Sequence, residues 1–520
     1  MIRQVFAAAS AALSVASAQV ERTSFDTGPF SFGTLTQADG ALSQDLWQGS
    51  DAALVEDLLE SVPVRFDDPV KRMMLRRVLL SPGEGPDGAG AELAGLKLLR
   101  AAEAGYVFEA GAVAELMPGL AAAPALSRIV AMRDLYAGDI ERACQRGANL
   151  REGRQRPFFV RLRAFCYLQA GERPAAELTI SLAREEGLLS PEDEQLFRLL
   201  MTGGAPTTLP QGALGYAAFR VSGGLLDEED VPVVAPAVAA AMVMDGGLSV
   251  AARRAALDRA VMEGLLGGRD LGRAAAEMPG TTLGDELAAL DELEDGSPER
   301  AGAIGEALAT ARDKPADFLL RVRILAADIA SLGPDIATVP YAAEFALASL
   351  LNRRFGDAER WMQTVAAEQS FDAERAFLNL ARLYAYLEPS AAQRLAGAIG
   401  ETINELDVAP IEAADAAAQA TKPGDLALNV ELALGATASG SRAAQLLAAL
   451  GTASVDADTP ELARIRDTLA ANLYARTDGA AFAREAAFWR EALANAGRLR
   501  SEVIGEGPYV PRLKPERAAQ

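Results

Sequence analysis

Cys144 and Cys166 are the two cysteines of the chain, and seven arginines crowd the same stretch: Arg142, Arg146, Arg151, Arg154, Arg156, Arg161 and Arg163. A thiol pair can serve redox exchange, metal binding or a structural cross-link. The 22-residue spacing is not the C-x-x-C of a redox catalyst, and two cysteines cannot complete a four-cysteine zinc site. Histidine is absent altogether. Its absence removes the Ser-His-Asp triad, the Cys-His pair, the zincin motif and any imidazole-ligated metal, along with the side chain best suited to proton transfer near neutrality. No cofactor is expected. There is no G-x-x-x-x-G-K-[ST], and the glycines of "GPDGAG" and "EGLLGGRDLGR" follow no strand pattern. The acidic runs "PEDEQ" (191–195) and "DEED" (227–230) read as helix caps. A carboxylate-only glycosidase stays formally open, but nothing singles out a pair of acids.

Only Glu141 and Glu152 interrupt the arginine cluster, in a chain of net charge −22. Two readings stand. Arg146, Arg151, Arg154, Arg156 and Arg161 form a docking patch for an acidic or phosphorylated partner or a wall polymer, or the guanidiniums pair with acidic neighbours inside the molecule. The overall acidity argues against nucleic-acid binding and against an anionic bilayer surface.

The elements that must position these residues read as helices. Half the residues are hydrophobic but only 6% are aromatic, and alanine and leucine dominate. That mixture favours closely packed helices, and no period-2 strand pattern of convincing length occurs. In "SDAALVEDLLESV", Ser50 or Asp51 caps a helix with Leu54, Leu58 and Val62 at spacings of four. Pro69 opens the next helix, and "SPGEGPDGAG" (81–90) is a loop. Upstream, residues 19–50 read as an extended arm anchored by Phe25, Phe30, Phe32 and Trp47.

An internal repeat sets the architecture. "YAGDIERACQRG" and "LQAGERPAAELTI" superpose at an offset of 33, with Gly138 on Gly171, Asp139 on Glu172 and Ala143 on Ala176. This resembles the tetratricopeptide repeat, a helix-turn-helix unit of about 34 residues. Ala164, Tyr167, Gly171, Ala176 and Ala183 occupy the family's small, aromatic and turn positions, while Val160 and Arg163 depart from it. Looser copies are 346–368, with its turn at Phe355-Gly356-Asp357, 376–399 and 471–497. The resemblance implies an all-α, right-handed solenoid of helical hairpins; the extended N-terminal arm precedes it, and a C-terminal tail with three prolines and no packing pattern, expected to be disordered, follows. Its segments are an arm (19–50), an N-terminal array (51–205), an alanine-rich middle region (206–335), a C-terminal array (336–502) and the tail (503–520). It also places Cys144 and Cys166 on adjacent antiparallel helices joined near Gly153-Arg154. At 1.5 Å per residue their axial mismatch is about 4–5 Å, which loop asymmetry absorbs. A disulfide between them is therefore expected, with two unpaired thiols as the alternative.

Residues 1–18 carry Arg3, an apolar stretch from Val5 to Val15, and Ala16-Ser17-Ala18 before Gln19. This reads as a signal peptide cleaved after Ala18, placing the mature protein in the periplasm. The longest apolar candidate, "VPVVAPAVAAAMVM" (231–244), is too short to span a bilayer, so no membrane insertion is expected. The expected function is a non-enzymatic scaffold or adaptor in the bacterial cell envelope, binding protein partners in assembly, secretion or motility machinery. The alternative is a peptidoglycan enzyme or its accessory subunit, resembling the helical superstructure of lytic transglycosylases. The E-S-x-F-like acid motif of their catalytic domain is absent.

Overall fold

The computed structural model describes residues 28–398 and 426–495, apart from 38, 67, 205–207, 279–281, 369, 456–459 and 477–478. The signal segment 1–18, Phe25 and the 503–520 tail lie outside these residues. The described residues form helices and no strand. Helices α1 (Ala52–Ser61), α2 (Pro69–Leu80) and α3 (Ala91–Ala101) come first, and α3 runs through a π turn (Ala102–Tyr106) into α4 (Val107–Leu116). Next are α5 (Pro124–Tyr136), α6 (Ile140–Asn149), α7 (Pro157–Gln169), α8 (Arg173–Glu185) and α9 (Pro191–Thr202). The middle of the chain holds α10 (Ala213–Val221), α11 (Pro236–Met244), α12 (Val250–Glu263), α13 (Gly268–Ala276) and α14 (Thr282–Asp291). It continues with α15 (Pro298–Ala311), α16 (Pro315–Ile324), α17 (Ala326–Ser331), α18 (Ala342–Leu351) and α19 (Phe355–Ala366). The last are α20 (Phe371–Leu387), α21 (Pro389–Ala398), α22 (Leu426–Ser439), α23 (Arg442–Thr452), α24 (Pro460–Arg476) and α25 (Gly479–Asn495).

Local chemistry explains where helices begin. Asp51, rather than Ser50, caps α1, accepting from Leu54 N at 2.8 Å. Ser190 and Asp193 form a capping box on α9, and proline occupies the first turn of α2, α5, α7, α9, α11, α15 and α16. The "DEED" run caps no helix. Asp227 instead accepts from Glu229 N at 2.9 Å and closes a turn. The apolar 231–244 stretch contributes the buried nine-residue α11. Among the described residues no helix is long and apolar enough to cross a membrane.

Three helical hairpins share one turn. At Ala137-Gly138-Asp139, Gly138 N donates to Leu135 O at 3.1 Å and Asp139 N to Asp134 O at 2.9 Å. Ala170-Gly171-Glu172 repeats this, with bonds from Gly171 N to Leu168 O (3.1 Å) and Glu172 N to Tyr167 O (2.8 Å). Between α18 and α19 the same bonds run from Arg353 N to Leu350 O (3.0 Å) and Arg354 N to Ser349 O (2.8 Å). This third turn lies three residues earlier than the Gly356-Asp357 pair suggests, because Gly356 already belongs to the first turn of α19. Five residues past the central turn position, Ala143, Ala176 and Ala358 are each fully buried, which lets paired helices approach closely.

Two buried clusters form the interior. The larger runs from Phe30 to Leu283, then takes in Leu319, Leu320 and residues 432–482; the smaller spans Leu290 to Ala392 with Ala487, Phe488 and Ala492. Neither respects the expected divisions at 205/206 and 335/336, because burial follows helix contacts across the whole chain. Phe30 and Trp47 are fully buried and meet edge to face, with centroids 5.4 Å apart. The 28–50 segment is thus part of the core, with Phe32 also buried.

An open solenoid lets each unit touch only its neighbours. Here the last described helices return to the first. Ala443 N donates to Leu46 O at 2.9 Å, and Ser441 Oγ donates to the same carbonyl at 3.2 Å. Glu485 on α25 pairs with Arg77 on α2, and its same oxygen lies 2.8 Å from Arg353 Nη1. Burial pushes the Glu485 carboxyl up, but the charges of Arg77 and Arg353 outweigh it and hold it below the ordinary range.

Two predictions follow from this interior. Removing the charge in Glu485→Gln leaves two guanidiniums without a counter-ion and should lower unfolding free energy by about 3–5 kcal/mol in urea denaturation. Because the Glu485 pKa is depressed, its contribution is present at neutral pH and fades as pH falls below about 4.5, so the variant should have a flatter acid limb. Lys97 on α3 is buried with its Nζ 4.9 Å from the Phe30 ring centroid, and burial lowers its pKa to about 7. Between pH 7 and the unfolded value near 10.5 the unfolded chain binds the extra proton, so this group makes stability rise with pH. Lys97→Met should therefore be more stable than wild type at pH 7.5, with the advantage shrinking by about 2 kcal/mol by pH 9. A constant difference across that interval would contradict a depressed Lys97.

Candidate docking surface

The cysteines lie on neighbouring helices, Cys144 on α6 and Cys166 on α7, at disulfide distance with a Cα–Cα separation of 5.8 Å. Their helices approach closely because Gly147 faces Leu162, where a Cβ would come within 3.0 Å of Leu162 Cδ2. The bridge closes a 22-residue loop that contains Arg146, Arg151, Arg154, Arg156 and Arg161.

The arginines divide into two groups. Arg142 and Arg146 turn inward to Glu115 on α4, at 2.9 and 2.5 Å, and Arg133 reaches the same carboxylate at 2.9 Å. Asp134, almost wholly buried, lies 2.9 Å from Arg133 and less than 4 Å from Arg142 and Arg146. Burial raises the Glu115 carboxyl, but Arg133, Arg146 and Arg142 together bring it below its ordinary value. Arg161 pairs with Asp193 on α9 at 2.8 Å. These three arginines, with Arg133, fasten α6 and α7 to α4, α5 and α9.

Arg151, Arg154 and Arg156 instead sit on the α6–α7 loop and are exposed. Arg156 meets Glu92 at 2.6 Å, an ion pair whose partners are each about half exposed. The side chains of Arg151 and Arg154 have no carboxylate partner among the described residues. Half-buried Arg163 lies away from this loop, on α7. Of the five arginines expected to act together, the structure brings Arg151, Arg154 and Arg156 onto one loop and commits Arg146 and Arg161 to internal pairs.

Beside this loop is a cleft of about 610 Å³. Its floor is small and apolar (Ala91, Ala122, Ala123 and Pro124), and Glu92, Glu152, Gln155 and Arg156 supply polar groups. Arg151 N donates to Ala121 O at 2.9 Å, which ties the loop to the α4–α5 connection. Gly153 makes the tight approach possible. Its φ is +72°, and a Cβ there would lie 2.5 Å from Pro124 Cγ. Glu92 and Pro124 carry no sequence signal of a site, since they look like an ordinary first-turn acid and an N1 proline. Gly153, placed among charged loop residues, is the one visible hint.

The cleft can hold a short segment with small side chains and an acidic group. It assembles no nucleophile, base and orienting group, and no group of three or more acidic or thiol ligands suited to a metal occurs among the described residues. Replacing both cysteines by serine should lower stability by about 3 kcal/mol in the chain-entropy model. Urea denaturation of the double variant and of wild type with and without reductant measures this; equal stabilities throughout would show that no bond forms. No protein-family model matches this chain, and no curated protein or solved structure matches it either.

Proposed function

We propose that the chain is an exported, non-enzymatic scaffold of tetratricopeptide-like hairpins in a bacterial envelope, closed by its end-to-end contact, whose partner docks at the α6–α7 loop. The observation that carries this reading is the local reversal of charge. In a chain of net charge −22, Arg151 and Arg154 stand exposed beside an apolar cleft while their neighbours are neutralised. Such a rim steers an acidic protein segment toward the cleft, and the cleft then buries that segment's small apolar groups. The cysteine pair at disulfide distance fits an oxidising compartment, in line with the A-x-A at Ala16 to Ala18.

Crosslinked capture from native envelopes tests the docking surface. Wild type should retain a defined partner that Arg151→Glu/Arg154→Glu loses, while the variant keeps its thermal midpoint, since neither side chain has a carboxylate partner among the described residues. A partner captured equally by both would move the site elsewhere. Clearing of a peptidoglycan zymogram by the purified protein would overturn the non-enzymatic reading. The mature protein should begin at Gln19, and retention of Met1 in protein from native cells would overturn export.

A further inference from the structure

A second group of arginines gathers where α2, α16 and α25 meet, far from the docking loop in sequence. Arg76 on α2 donates to both oxygens of Glu109, at 3.0 and 3.2 Å. Arg77 and Arg353 share Glu485. Arg323, near the end of α16, is different: no carboxylate lies within ion-pairing distance of it among the described residues. Its Nη1 donates to Asn352 Oδ1 at 3.3 Å, and its guanidinium carbon lies 5.4 Å from the Trp489 ring centroid. Asn352 is itself fixed, donating to Val322 O at 3.2 Å. One amide and one aromatic face thus orient the guanidinium and leave most of its five N–H donors uncommitted.

Water reaches this group, since Arg323, Arg76, Arg353 and Trp489 are all only partly buried. Burial, and then the nearby charge of Arg76, lowers the Arg323 pKa to about 10, so it stays cationic at neutral pH. Asp39 and Glu485 act on it electrostatically without contact. A separate observation comes from the backbone. Arg353 has a φ of +54° at the turn position that Gly138 and Gly171 fill in the matching hairpins. A non-glycine side chain is disfavoured there, and the arginine brings a guanidinium to this cluster that glycine would not.

We infer that this arginine cluster binds a small oxyanion of the phosphate or carboxylate class, gripped by the planar fork of Arg323, with the surplus positive charge of Arg77 and Arg353 around Glu485 beside it. A guanidinium fork matches two oxygens of such a group, and partial burial keeps the attraction from being screened. This inference is independent of the docking surface.

Calorimetric titration of the full chain with inorganic phosphate, and separately with succinate, at ionic strength held constant with sodium chloride, tests it. One saturable site is expected, and the tighter of the two ligands identifies the source chemistry. Arg323→Met should weaken it by at least about tenfold, equivalent to about 1.4 kcal/mol, while Arg198→Met, at an exposed position on α9, leaves it unchanged. Circular dichroism checks that the methionine variant folds. If it does not, Arg323→Lys, which keeps the charge but loses the fork, carries the comparison and should bind more weakly than wild type. The inference fails if neither ligand gives saturable heat at millimolar concentration, or if the folded Arg323 variants bind as wild type does.

Discussion

One carboxylate, Glu485, holds the described molecule closed. It lies on the last described helix and answers Arg77 on α2 and Arg353 beyond α18, so a single buried charge joins the first helices, the last helix and the smaller core. The arrangement is stable only as a set. Two guanidiniums around one acid leave no uncompensated anion, and the surplus positive charge is tolerated because solvent reaches part of Arg353. The Leu46 carbonyl adds a backbone counterpart, taking donors from Ser441 and Ala443. Together these contacts join the first and the last described helices.

The two arginine groups show how burial decides what a charged side chain does. At α6 and α7, Arg142, Arg146 and Arg161 meet acids from neighbouring helices, and their charge is absorbed into packing. On the intervening loop Arg151 and Arg154 meet none and stay in water, where screening limits each one's reach to about 10 Å. Arg323 falls between these cases, shielded enough for its field to matter and yet without a carboxylate of its own among the described residues. Charge density along the sequence does not distinguish these roles, since all are simply arginines in an acidic chain.

Much of the local structure was legible in the residues. Proline and Ser/Asp caps located helix starts, Gly138 and Gly171 marked matching turns, and helix adjacency brought Cys144 beside Cys166 as expected. These features rest on interactions within a few residues or between adjacent helices, and such interactions leave a periodic trace. The misplacement of the α18–α19 turn has a specific cause. Arginine occupies the left-handed position there, and the glycine that imitates a turn, Gly356, already lies inside the helix. The closure and the division between the two cores were not legible, because the Arg77–Glu485 contact spans 408 positions and repeats at no period. The cleft leaves no sequence trace for the related reason that Glu92, Pro124 and Gly153 come from three separate places, the first turns of α3 and α5 and the α6–α7 loop.

The return of α22–α25 to α1 and α2 also orders events in time. Leu46 O and Arg77 have partners in residues 441–485, and α1 and α2 take part of their packing from α22, α23 and α25 as well as from α3, so the beginning of the chain cannot finish burying itself while the end is still unsynthesised. Local hairpins such as α5–α6 can form as soon as they emerge, but joining the ends requires closing a loop of some four hundred residues. Until then the first helices present unsatisfied apolar surface. The amino-terminal helices thus complete their burial only once the last described helices are in place.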